Sequence, residues 1–162
     1  MVAAPWEEAV ATALERSWPE AARAARRLKI ERNEMALPAD DWAEIQQLYA
    51  RYNTAIDTGD GDAFGGCFVP AGVFNPGTGA VEGQTAIGEY GVAAHEALPL
   101  MRHNATNIVV DVDGQRATGS AFLIGYLAGP NFKVIVTGRY RDTLLKADGE
   151  WRFVERIFQA DQ

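Results

Sequence analysis

Few side chains in this sequence can move a proton near neutral pH. There are two histidines, His95 and His103, and a single cysteine, Cys67. His103 opens the alternating stretch LMRHNATNIVV just after Pro99. A histidine on a strand that faces a cavity can shuttle protons; the same residue hydrogen-bonded inside a core does no chemistry. Asp57 poses a parallel choice. It falls in the last turn of a helical pattern, beside the apolar face, where the negative end of the helix dipole disfavours a carboxylate. Either it is solvated and merely ends the helix, or it looks into a cavity and has a partner. His95 lies near the end of a later helix, where a cation complements the dipole, and reads as a surface or rim residue. Cys67 sits in the apolar turn FGGCFV and reads as buried and inert.

Other chemistries find little support. Two histidines eight positions apart and a lone thiol do not match a zinc or iron spacing, so no metal is expected. Asp57, Asp60 and Asp62 lack the spacing and closing glutamate of a calcium loop and read as helix caps. The glycines at 77, 79 and 83 do not form a dinucleotide fingerprint, and no phosphate loop is present. Neither Ser17 nor Ser120 sits in a nucleophile elbow. The expectation is chemistry without a cofactor.

The elements that must position these groups follow from periodicity. Over residues 41–62, Trp42, Ile45, Tyr49, Tyr52 and Ile56 recur at three- and four-residue steps, one face of an amphipathic helix. Asp40 or Asp41 can cap its start and Gly59 stops it. A short helix over 63–68, a strand over 69–74 and a helix over 86–97 capped by Thr85 come next. Four alternating strands then follow, over 100–112, 116–128, 132–145 and 151–158, with turns at Asp113-Gly114, Gly129-Pro130-Asn131 and Ala147-Asp148-Gly149. Helices first and consecutive antiparallel hairpins after them make an α+β fold, a strongly curved sheet wrapped on the early helices with a pocket between the two layers.

Residues 1–37, rich in Ala, Glu and Arg, are expected to form a separate helical extension that restarts at Ser17-Trp18-Pro19-Glu20, and residues 38–162 the main domain. The extension holds six acids and six bases, so the net charge of −7 arises entirely from the remainder. That balance argues against a nucleic-acid partner. No apolar run is long enough to span a bilayer, and the N-terminus MVAAPWEEAV lacks the basic and apolar regions of a signal peptide. A cytoplasmic, reduced protein with no membrane association is expected.

Four pieces carry a family resemblance: YARYNTAIDTGDGDAFGGCF, EGQTAIGEY, MRHNATNIVVDVDGQRATG and GRYRDTLLKADGEWRFVER. From Ala39 onward the chain resembles the SnoaL-like group of the nuclear-transport-factor-like superfamily, which is similar to scytalone dehydratase, bacterial bile-acid dehydratase and polyketide cyclases. The resemblance implies a cone of curved antiparallel sheet around helices, with an apolar pocket at one end. It implies an acid–base pair at Asp57 and His103, and Tyr52 matches a tyrosine of the bile-acid dehydratase pattern. Tyr140 stands where scytalone dehydratase has a pocket asparagine. Tyr126 lies in the region of that enzyme's second histidine, which has no counterpart here.

With that pair in view, Asp57 would hold one ring nitrogen of His103 and leave the other as general base, with Tyr52 and Tyr140 as hydroxyl donors. Tyr49, Tyr126, Tyr140 and Asn107, which shares the face of His103 by an even-step count, are the expected substrate-binding residues. Alternation sets Arg139 and Arg141 opposite Tyr140 and Asp142. With Arg156, these arginines read as an outer sheet face, open to a homodimer contact. The expected function is a cofactor-independent lyase, isomerase or cyclase acting on a small apolar polyketide-, steroid- or terpenoid-like substrate. The alternative is a non-catalytic binding protein or accessory subunit of an oxygenase-type complex. Epoxide hydrolysis would require a second acid beside Asp57, for which only Asp142 offers itself.

Overall fold

The computed structural model describes residues 37–162; the expectation of a helical extension restarted at Ser17 falls on residues outside the described ones. Helix α1 (Ala39–Thr58) buries Ile45, Leu48, Tyr49, Tyr52, Ala55 and Ile56, the stripe that the period predicts. Trp42, at its first turn, is instead 37% exposed. Gly59 ends the helix in the left-handed region at φ 72°, donating its N–H back to the Ala55 carbonyl. The start is not capped by an aspartate. Pro38 occupies the cap position, and the Asp41 carboxylate turns away to accept from Lys146 Nζ at 2.7 Å and from Trp151 Nε1 at 2.8 Å. A charged donor and a buried indole outcompete the helix's own N–H groups for it.

Asp60 does cap α2 (Gly61–Gly66), accepting from the Ala63 N–H. Strand β1 (Phe68–Asn75) and a two-residue strand β2 (Val81–Glu82) precede α3 (Gln84–Ala97), which starts after Gly83 with no side-chain cap from Thr85. The four long strands follow as β3 (Met101–Asp113), β4 (Arg116–Leu127), β5 (Lys133–Ala147) and β6 (Glu150–Ala160). They form one open sheet in the order β2-β1-β6-β5-β4-β3. Every pairing is antiparallel except β1 with β6. The other long strands are joined by hairpins, but β1 comes after two helices and is separated from β6 by most of the chain, so no tight turn dictates its direction.

Three bulges bend the long strands and switch their faces, at Asn107 in β3, near Gly125 between β4 and β5, and near Val154 in β6. A bulge puts two residues opposite one, so the alternation restarts out of phase beyond it. The interior between sheet and helices is filled. Tyr49, Tyr52, Phe64, Phe68, Phe74, Tyr140 and Phe153 pack mostly edge-on at centroid separations of 4.7–6.3 Å, the arrangement the ring quadrupole favours. The result is α+β, as the pattern of elements predicts. Among the described residues, no helix is long and apolar enough to cross a membrane.

Candidate functional site

β3 is the last strand of the sheet, so one row of its backbone groups has no strand partner. His103 lies opposite Gly125 of β4, and its N–H belongs to that free row. The last turn of α1 supplies the missing acceptor. Asp57 takes the His103 N–H with both carboxylate oxygens, at 3.0 and 3.2 Å, and approaches the ring Nδ1 to 2.6 Å with Oδ1. A single carboxylate thus fixes both the backbone and the imidazole of one residue. An ionised acceptor on Nδ1 selects the Nδ1–H tautomer and leaves Nε2 with its lone pair free. Both side chains retain a little solvent contact, 13% for Asp57 and 14% for His103.

Arg102, the residue before, secures the junction. Its guanidinium donates to the carbonyls of Met101 (2.6 Å), Pro99 (3.3 Å) and Asp57 (3.4 Å), tying the α3–β3 linker to the end of α1. A cation at that helix terminus offsets the dipole that disfavours Asp57 there.

A second polar cluster lies deep inside. Arg156 is completely buried and Asp142 nearly so. The guanidinium reaches Asp142 through Nε at 3.0 Å and Nη2 at 3.1 Å, and Tyr49 donates its hydroxyl to the same carboxylate. Rings of Tyr140, Tyr52, Phe153 and Tyr49 surround the guanidinium carbon at 3.9–4.6 Å. Burial, partly offset by Arg156, raises the Asp142 carboxyl above its ordinary range. Burial likewise pushes Tyr140 up to about 12 and Tyr52 well above the usual phenol value, so all three tyrosines here are neutral hydroxyls. The outer-face expectation for Arg156 therefore fails, because the bulge at Val154 brings it onto the inner face opposite Asp142. Arg139 and Arg141 do lie exposed and outside, with Arg139 over the Phe122 ring at 4.7 Å.

The structure thus brings Asp57 and His103 together. It gathers Tyr49, Tyr52 and Tyr140 in the sealed core around Arg156, each no more than 3% exposed. Asn107 sits on the β3 bulge at φ 52°, exposed, where the even-step count no longer applies. Tyr126 pairs with Arg102, on the strand face opposite His103, and packs against Phe132. Asp142 and Asp57 have separate partners and form no acid pair. His95 packs its ring over Gly59, where an added Cβ would come within 2.8 Å of it. Cys67 is buried, gives its thiol to the Ala63 carbonyl and is pushed up to about 11 by burial, consistent with an inert thiol. A cavity of about 560 Å³ lies along the back of α1, beside Arg51, Thr54 and Thr58, and excludes Asp57 and His103. Among the described residues, no cluster of His, Cys, Asp and Glu could hold a metal ion.

Sequence reasoning missed Arg102, the burial of Arg156 and the position of Asn53. Asn53 lies one helical turn before Asp57, and its Oδ1 is buried without a hydrogen-bond partner. The signal for Asn53 was available: an amide four residues before a candidate aspartate shares its helix face.

Solved structures with this architecture are numerous. One is a single-site variant of the Rv3472 protein from Mycobacterium tuberculosis, described as of unknown function: 36% identical, TM-score 0.71, covering 75% of this chain and 77% of that one. A protein from Catenulispora acidiphila in complex with S-DNPA is 28% identical, with TM-score 0.67 and coverage of 76% and 95%. An NTF2-like protein with a cystatin-like fold from Novosphingobium aromaticivorans is 26% identical, with TM-score 0.69 and coverage of 83% and 86%. No functionally curated protein matches the chain. The SnoaL-like domain model matches residues 38–157, nearly the whole of the described fold, and the chain belongs to the SnoaL-like domain family.

Proposed function

We propose that this chain is a cofactor-independent lyase, isomerase or cyclase with His103 as general base and Asp57 as the residue that holds it. The observation that carries the reading is the 2.6 Å approach of Asp57 Oδ1 to His103 Nδ1, together with the captured His103 N–H. Such a couple takes a proton from the carbon beside a carbonyl, or from a water or hydroxyl, through Nε2. It returns the proton to the developing product, and no redox or metal step is needed. The substrate is a small, mostly apolar polyketide-, steroid- or terpenoid-like molecule bearing a carbonyl or hydroxyl. Family membership and the ligand complex of the Catenulispora acidiphila relative support a small-molecule site in this fold. The protein works as a homodimer through the outer face of its sheet, where Val109, Phe122 and Ile124 are exposed.

A generic substrate tests this. 2-Tetralone exchanges the hydrogens beside its carbonyl with deuterium when a base removes them. The wild type is expected to accelerate that exchange. His103→Ala should slow it by about 10²–10⁴-fold, the range for general acid–base help, with ketone affinity nearly unchanged. Equal losses in rate and affinity would make His103 a binding residue.

One observation favours a second reading, a binding or accessory protein. The interior of the cone is filled by aromatic side chains and Arg156 rather than open. On that reading, ketones bind at the seam between α1 and β3, and neither 2-tetralone nor its hydroxylated relatives exchange faster than in buffer.

A further inference from the structure

Helix α1 has a second face that the core does not use. Arg51, Thr54 and Thr58 recur at three- and four-residue steps and share one side of the helix, away from the Tyr52 and Ile56 stripe that fills the core. They rim the cavity of about 560 Å³, which α2 and the first residues of β6 complete. A hollow of that size suits a small molecule. Its floor is apolar, built from Leu48, Ala55, Cys67 and Trp151, each no more than 4% exposed. Two arginines from different elements border that floor, Arg51 on α1 and Arg152 on β6. The positive charge of each opposes the upward push of burial on the Cys67 thiol, so both lie near the same wall. The two acids of the lining are engaged: Asp60 accepts from the Ala63 N–H, and Glu150 accepts from Arg152 Nη2 at 2.8 Å. Arg51 forms no ion pair among the described residues. In a chain of net charge −7, that sets a cation at the rim of an apolar hollow, open to an acid from outside.

We propose that this cavity is a second small-molecule site, which takes an aromatic carboxylate with its rings on the apolar floor and its charge on Arg51, beside Arg152. A guanidinium presents N–H groups in a planar fork that matches the two oxygens of a carboxylate. A flat ring system covers the floor without placing a polar atom against it. The site is separate from the Asp57–His103 pair, because the cavity includes neither residue, and it stands whether or not His103 acts as a base.

The test compares 2-naphthoate with 2-naphthamide, which matches it in shape and lacks the charge. Binding is followed through the backbone ¹H–¹⁵N signals of Thr54, Gly66 and Cys67 in the full chain. The wild type should bind 2-naphthoate about ten-fold more tightly, the scale of one hydrogen bond to a charged group. Arg51→Met, at an exposed position, should abolish that preference by weakening 2-naphthoate alone, with 2-naphthamide held within about two-fold. Ala63→Phe places a ring in the cavity and should weaken both probes together. His103→Ala should leave both affinities within about two-fold. Equal affinity for the two probes, or a preference that survives Arg51→Met, would overturn the carboxylate site. So would signals at Thr54, Gly66 and Cys67 that neither probe moves, or 2-naphthoate binding that His103→Ala removes, since the ligand would then sit at the seam. None of these outcomes decides whether His103 is a base, which the exchange of 2-tetralone reads independently.

Discussion

Asp57 holds a histidine from a strand remote in sequence and Asp142 an arginine directly opposite it on the next strand, yet the two pairs have opposite surroundings. Asp142 is sealed with Arg156, and the aromatic rings of four residues close over the guanidinium. Asp57 holds His103 at the open edge of the sheet, with both side chains in partial contact with solvent. Arginine cannot give up its proton at any physiological pH, whereas histidine can. The sealed pair is thus suited to fixing the core and the edge pair to exchanging protons. A carboxylate and a nitrogen base at hydrogen-bond distance do not by themselves mark a reactive site; the free nitrogen and a path for a ligand do.

The largest effect should come from the sealed pair. Arg156→Met leaves the Asp142 carboxylate buried with only Tyr49 as donor. Stranding one partner of a buried ion pair costs about 3–5 kcal/mol, readable as a shift of the urea midpoint. The double variant Arg156→Met/Asp142→Leu removes the orphan charge and should recover most of that loss. Failure to recover would mean that the aromatic cage depends on the guanidinium itself, through its cation–π contacts. Tyr49→Phe should cost more than Tyr52→Phe, by about 1 kcal/mol, because only the Tyr49 hydroxyl serves Asp142.

At the edge pair the expected stability change is smaller. Asp57→Asn keeps an acceptor for the His103 N–H but loses its charge, a change of about 1–2 kcal/mol. The informative readout is the tautomer. Imidazole ¹⁵N shifts should show Nδ1 protonated in the wild type and a move toward Nε2–H in Asp57→Asn, where the amide no longer enforces one form. An unchanged tautomer would show that something other than Asp57 sets the ring, and the comparison between the two pairs would lose its basis.

The sequence made parts of this arrangement legible and concealed others, for physical reasons. Helix α1 was readable because Ile45, Tyr49, Tyr52 and Ile56 keep a strict period, and Gly59 can end it at a positive φ. The hairpins were readable from turns such as Asp148-Gly149, both at positive φ. Bulges were not. Val154 carries no mark of being an extra residue, yet it sends Arg156 inward; Asn107 likewise shifts the phase of β3. The parallel β1–β6 pairing was hidden as well, since pattern reveals a strand's faces but not a distant partner's direction. At the candidate site, Asp57 and His103 read from residue type alone had equally good inert readings, and the family resemblance joined them. The capture of an edge N–H by Asp57 depends on β3 being the last strand, a tertiary fact.

A third carboxylate, Asp41, is about as accessible as Asp57 and is paired with a lysine. It accepts from Lys146 and from the buried Trp151, and a side-chain hydrogen bond from each holds its carboxyl below the ordinary value. Lys146, bonded to Asp41 and then to Glu44, is held above its own. The signs set the window. A lowered carboxyl contributes stability that is complete above the unfolded value of ~4 and lost as pH falls through the folded one; a raised amine contributes below ~10.4 and fades as pH rises through its folded value. Asp41→Ala should therefore cost about 1 kcal/mol at neutral pH, chiefly from the Trp151 indole losing its acceptor. The gap between wild type and variant should stay level from about pH 5 to 9 and shrink toward both extremes. Raising the salt to about 1 M should trim the part due to Lys146, because the Debye length falls to about 3 Å, and leave the Trp151 part intact. The sealed Arg156–Asp142 pair should show almost no salt response in the same measurement. A large response there would mean that water reaches the core, and that the two carboxylates differ in degree rather than in kind.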